Sequence, residues 1–144
     1  MNKTENRPAQ RVADPFDGTA RARLEHMGLY DYSGQMRTNT MLVFANIFTG
    51  QFFDDLNECH GSAANMLSIY EAFRALYEKE DYQHMYLMMS VQYDYISKPL
   101  PDPVWWIAGD PDAVTAFMAH FIRRYEHLME IEGFLVSGEG AEQK

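Results

Sequence analysis

The sequence predicts an all-α protein: a compact irregular bundle of about five helices, four of them long, with a disordered N-terminal tail and a short frayed C-terminus. Three observations carry that expectation. No proline occurs between Phe16 and Lys98, and a proline inside a helix costs about 3 kcal/mol. Between turn signals, apolar residues recur at three- and four-residue spacing, which lines them up on a helix face. Finally, the one short apolar run that a buried strand would suit, MLVFANIF at 41–48, has no partner strands elsewhere in the chain.

In chain order, residues 1–16 are polar and without period, carry Pro8 and Pro15, and read as a flexible tail. Residues 17–135 read as a single helical domain and 136–144 as an acidic tail. Asp17 is placed to cap a short helix through Ala20, Arg23, Leu24 and Met27, with Gly28 as its stop. LYDYSG is a tyrosine-rich loop, and Ser33 is positioned to cap the next segment, Met36 to Cys59. There Met41, Phe44, Phe48, Phe52 and Leu56 form one stripe, widened by Leu42, Ala45 and Phe53. Gly50 sits mid-stripe, where it weakens the helix by about 1 kcal/mol relative to alanine and marks a kink or a close helix crossing.

His60-Gly61-Ser62 is a stop followed by a cap. Met66, Ile69, Tyr70, Phe73, Leu76 and Tyr77 then trace an amphipathic helix that ends in EKED, where Asp81 caps the next. From Asp81 to Ile96 the chain is apolar nearly all round, leaving only Gln83, Ser90 and Asp94 as a narrow polar strip. Such a helix is normally central and buried, so this one is expected to organise the bundle. In SKPLPDPVWWIAGDPD, the alternating Pro99, Pro101 and Pro103 predict an extended connector. It would present Trp105 and Trp106 in different directions, one buried and one exposed. Asp110-Pro111 is a cap followed by a first-turn proline. The last helix carries Val114, Phe117, Met118, Phe121, Tyr125, Leu128 and Met129 on one face, and Gly133 ends it.

Net charge is -9, and all of it lies beyond residue 40, since residues 41–144 hold six Lys/Arg against sixteen Asp/Glu. An acidic surface repels phosphate backbones and attracts a basic protein face. Direct nucleic-acid binding is therefore not expected, and a basic protein partner is. The lone Cys59 removes any internal disulfide and fits a reducing cytoplasm. MNKTENRPAQRV lacks the apolar core of a secretory signal, and no apolar run is long enough for a bilayer, so neither export nor a membrane is expected.

Catalytic constellations are sparse. The pairs Asp55-x-x-Glu58 and Glu78-x-x-Asp81 each put two carboxylates on one helix face, as Mg²⁺ with substrate phosphates would need. Across residues 55–81 this pattern resembles the E-x-x-E…E-x-x-D signature of the all-α nucleotide pyrophosphohydrolases, the MazG-like family, with Asp55 standing where that family has Glu. The resemblance implies a Mg²⁺-dependent hydrolase with Asp55, Glu58, Glu78 and Asp81 as metal ligands. Both pairs sit at helix C-termini, however, and antiparallel neighbours put those ends at opposite poles. The five histidines, His26, His60, His84, His120 and His127, include no Glu-x-x-His pair on two helices and read as surface or loop groups. Ser33, Ser62 and Ser68 lie in no nucleophile-elbow context, Cys59-His60 has no zinc spacing, and no glycine-rich phosphate loop occurs. Neither catalysis nor a cofactor is expected.

What stands out is interface chemistry: nine tyrosines, ten methionines and two adjacent tryptophans on an acidic helical body. Trp105 and Trp106 are the expected anchors, Asp102, Asp110 and Asp112 their acidic rim, and Asp54, Asp55, Glu58, Glu78 and Glu80 the wider carboxylate surface. The favoured expectation is a non-catalytic acidic protein-binding protein. In size and charge it is like small inhibitors and immunity proteins directed at nucleases, or phage and plasmid anti-defence factors such as anti-CRISPR proteins. It would occlude the basic nucleic-acid-binding surface of its partner, with carboxylates standing in for phosphates. The alternatives are the nucleotide hydrolase and a structural subunit whose Met/Tyr face is a homodimer seam.

Overall fold

A computed structural model describes residues 20–135. Six helices run through them: α1 (Ala20–His26), α2 (Thr38–His60), α3 (Ala63–Glu78), α4 (Tyr82–Tyr95), α5 (Asp102–Ala108) and α6 (Pro111–Ile131). Among these residues no strand forms; Tyr30 and Met36 make one isolated antiparallel bridge. The all-α expectation holds with one helix more than foreseen. The expected tails, residues 1–16 and 136–144, and the Asp17 cap lie outside the described residues. None of the helices is long and apolar enough to cross a membrane.

The fold is built on α2 and α6, the most extensively packed pair; α3, α4 and α5 also pack on α6, α3 on α2 and α4, and α1 on α5. The contact surface of α2 and α6 is aromatic. Phe48, Phe52 and Phe53 of α2 meet Phe117, Phe121 and Tyr125 of α6, with Phe48–Phe117 at 5.3 Å and Phe53–Tyr125 at 5.3 Å between ring centres. Phe73 of α3 closes edge-on to Phe121 at 5.0 Å. Such pairs contribute roughly 0.5–1.5 kcal/mol beyond the area they bury.

The central helix is therefore not Asp81–Ile96, as its all-round apolarity led us to expect. In α4 only Met85, Met89 and Tyr93 are buried. Leu87, Val91 and Tyr95 lie two residues further on, roughly 200° round the helix, and stay in solvent. Two apolar stripes on opposite faces look like a fully buried helix in a sequence, yet only one of them meets the core.

The caps follow the sequence closely. Ser62 accepts a hydrogen bond from the Asn65 N–H at 3.1 Å, and Asp81 accepts one from the His84 N–H at 3.3 Å. Asp110 takes the Asp112 N–H at 3.1 Å and the Ala113 N–H at 3.5 Å. Gly61 stops α2 at φ 70°, a left-handed angle that glycine adopts without strain. On α6 the expected stripe is buried from Phe117 to Met129, with Val114 and Leu128 half-buried at its edges.

Three local expectations fail for local reasons. Ser33 does not cap α2, which begins at Thr38 after Arg37 with no side-chain cap. Instead its hydroxyl donates to Asp31 Oδ1 at 2.6 Å, and the same oxygen takes the Ser33 and Gln35 N–H groups. These bonds close the loop and hold the Asp31 carboxyl below its usual range. The segment after Pro101 is not extended through the tryptophans, because a proline at Pro103 occupies the first turn of α5, where its missing N–H costs nothing. On α2, Leu42 turns outward instead of widening the stripe.

Gly50 marks neither a break nor a close crossing. Helix α2 runs unbroken through it, and a β-carbon there would meet nothing within 4 Å. Gly50→Ala is accordingly expected to raise stability by about 1 kcal/mol, read as a higher urea midpoint at unchanged slope. A lowered midpoint would mean that the position is tighter than its open surroundings indicate.

Candidate partner-binding surface

The outer stripe of α4 is an exposed apolar line. Leu87 is 47 % exposed, Val91 60 % and Tyr95 60 %, and the four-residue spacing puts them in one line. Beside them, Tyr86 meets the Trp105 ring edge-on at 5.7 Å, so α5 extends the surface. Trp105 is the exposed tryptophan, at 38 %. Trp106 packs half-buried against the core under the Arg23 guanidinium, 4.5 Å from its ring centre. The two tryptophans do point in different directions, set by a helix whose neighbours lie about 100° apart, but the expected split is softer than one buried and one exposed, since Trp106 is half-buried.

Around the stripe the chain is acidic. Between Glu78 and Asp112 it carries seven carboxylates against two ammonium groups, Lys79 and Lys98. Glu78, Glu80 and Asp81 flank the start of α4, Asp94 lies on it, and Asp102 opens α5. Glu78 is ion-paired with Arg74 at 3.0 Å. Asp81, besides capping α4, lies 2.8 Å from His84 Nδ1, and that bond holds its carboxyl below the usual range.

Not every predicted carboxylate is available. Asp55 is buried on α2, where its Oδ1 accepts Lys98 Nζ at 2.9 Å and Gln51 Nε2 at 3.1 Å. Lys98 stays half-exposed while it neutralises Asp55, and its own pKa is raised by that bond. Asp110 is likewise buried, accepting the Tyr30 hydroxyl at 2.6 Å with Arg21 Nη1 3.9 Å away. Neither belongs to an accessible rim. Asp54 and Glu58 remain exposed on α2, and Glu80 is exposed in the loop before α4.

The hydrolase ligand set is not assembled. Asp55 is held by Lys98, Glu78 by Arg74 and Asp81 by the α4 backbone and His84. Among the described residues no group of three or more His, Cys, Asp or Glu side chains is gathered as a metal would need. Cys59 is a free, exposed thiol.

Sequence reasoning located Trp105 but missed Leu87, Val91 and Tyr95, because it counted them as core. The signal was there: two four-residue apolar series offset by two cannot face the same way. A second apolar exposure lies on α2, at residues the sequence reading left unassigned. Val43 and Ile47 of α2 lie off the buried stripe and line a shallow groove with Met27 and Leu29. No protein-family model, curated protein or solved structure matches the chain.

Proposed function

We propose that the protein is a non-catalytic acidic binding protein that docks a basic protein partner through the outer face of α4 and Trp105. The observation that carries this reading is an apolar line, Leu87–Val91–Tyr95, standing in solvent within a strongly acidic stretch. Exposed apolar side chains ringed by charge are what a desolvated interface centre with a polar rim requires. Trp and Tyr are the residues that most often carry binding energy there. The surrounding carboxylates favour a basic face, speed the encounter and repel nucleic acid. A partner whose basic face normally holds a nucleic acid, such as a nuclease or nucleic-acid-binding complex, fits this chemistry. The protein then acts as an inhibitor of the immunity or anti-defence kind by occluding that face. An exposed free Cys59 suits a reducing, cytoplasmic setting.

Affinity capture from host lysate with the wild-type chain and with Leu87→Asp/Val91→Asp tests the proposal. The expected result is a stoichiometric basic protein retained by the wild type and lost in the double variant, which should fold normally because both positions are exposed. Adding nucleic acid should compete for the captured protein. Identical captures from both chains would overturn the α4 surface as the docking face. A wild-type dimer that the double variant converts to monomer would replace the partner with a second copy of the chain.

A further inference from the structure

The outer face of α6 carries chemistry of the opposite sign. His120, Arg123, Arg124 and His127 follow one another at helical spacing and line a groove of about 510 Å³ beside Asn46 of α2. Arg123-Arg124 is the only adjacent basic pair in a chain of net charge -9. Elsewhere Arg21, Arg74 and Lys98 each reach a carboxylate. Among the described residues neither arginine of this pair does. Of the two carboxylates that line the groove, Glu126 is already engaged by Arg74 of α3 at 3.6 Å. Arg124 is half-buried, and its Nε is sealed from solvent with no hydrogen-bond partner. A guanidinium left in that state is costly unless something compensates its charge.

The histidine is also set up. Arg123 Nη2 lies 3.0 Å from His120 Nδ1. A guanidinium has only N–H donors, so Nδ1 accepts, and the ring proton sits on Nε2. Burial first, and the Arg123 charge second, push the His120 pKa down, which keeps the ring neutral with Nε2–H as a donor. The groove thus offers two guanidinium forks, an imidazole N–H and the amide of Asn46, against two carboxylates, Glu130 and Glu126, of which Glu126 is shared with Arg74.

We propose that this groove binds a small phosphate-bearing molecule. Guanidinium forks match the oxygens of a phosphate group in pairs, and the dianion supplies the negative charge that the arginine pair lacks. The rest of the surface limits the ligand's size: a polyanion such as RNA or DNA would extend over acidic surface and be repelled. This site is independent of the α4 face.

The test is a backbone-amide NMR titration of the whole chain with inorganic phosphate and with pyrophosphate, at ionic strength held constant with chloride. Saturable shifts confined to residues 120–127 and Asn46 are expected. Arg123→Gln/Arg124→Gln should weaken binding at least about tenfold while keeping the folded spectrum. Shifts no larger than chloride alone produces, or equal binding by the double variant, would overturn the site. Tighter binding of acetate than of phosphate would overturn the phosphate assignment. Leu87→Asp/Val91→Asp should titrate like wild type, which separates this site from the partner surface.

Discussion

Phe52→Ala is expected to cost about 3–5 kcal/mol of stability, the largest loss from any single truncation in this fold. Phe52 is fully buried, and its ring meets side chains from three other helices. Its centre lies 6.1 Å from Phe73 of α3, 5.4 Å from Tyr93 of α4, and 5.7 Å and 6.4 Å from Phe121 and Tyr125 of α6. Removing it forfeits the transfer energy of one large side chain and leaves a cavity that rings fixed on four helices cannot close. Against a total stability of about 5–15 kcal/mol, that is a fifth or more of what holds the chain folded. Equilibrium urea unfolding measures it directly. A loss under about 1.5 kcal/mol would mean that the cluster relaxes into the gap, and the jigsaw account of the α2–α6 seam would fall. Truncating an exposed apolar group makes the contrast: Val91→Ala should stay within about 0.5 kcal/mol of wild type, so loss of binding there would not be a folding defect.

What the sequence made legible was mostly what local chemistry decides. Ser62, Asp81 and Asp110 announce helix starts because each side chain accepts an N–H only two or three residues ahead, whatever the rest of the fold does. The α6 stripe was legible because its outer face is polar, which leaves one way to bury it. Helix α4 was misread because periodicity says which residues align and not which alignment meets the core. That choice is tertiary: Met85, Met89 and Tyr93 meet the cluster around Phe52, and the outer series finds no helix to cover it. The proline connector hid α5 because prolines forbid a helix interior but permit a helix start, and the Val104 and Ile107 spacing that buries it is short. Asp55 shows the limit for sites. Its partner Lys98 lies 43 residues away, so no reading of Asp-x-x-Glu along one helix could tell a ligand from a buried ion pair.

Raising the pH from 10 to 12 is expected to destabilise the protein steeply, with the largest losses at three tyrosines. Burial is the main cause that pushes the hydroxyls of Tyr30, Tyr93 and Tyr125 up, Tyr93 to about 12. The bond to Asp110 adds to the effect at Tyr30, and the Asp55 charge adds to it at Tyr93. In an unfolded chain a tyrosine ionises near pH 10. Below that pH both states keep the protons, and the stabilisation is intact. Above it the unfolded chain ionises while the folded one does not, so unfolding releases up to three protons and stability falls by up to about 4 kcal/mol per pH unit. Across the window that slope removes up to about 8 kcal/mol, which exceeds the lower part of the usual stability range of about 5–15 kcal/mol. Tyr125→Phe separates this from general charge repulsion. The Tyr125 hydroxyl is buried without a hydrogen-bond partner, so at pH 7 the variant should be as stable as wild type or about 1 kcal/mol more so. Above pH 10 it should lose stability less steeply than wild type, by up to about 1.4 kcal/mol per pH unit. An unchanged slope would show that Tyr125 ionises inside the fold, and hence that water reaches the α2–α6 seam. The fold's alkaline limit and its sensitivity at Phe52 would then no longer share a cause, since both rest on that seam being closed.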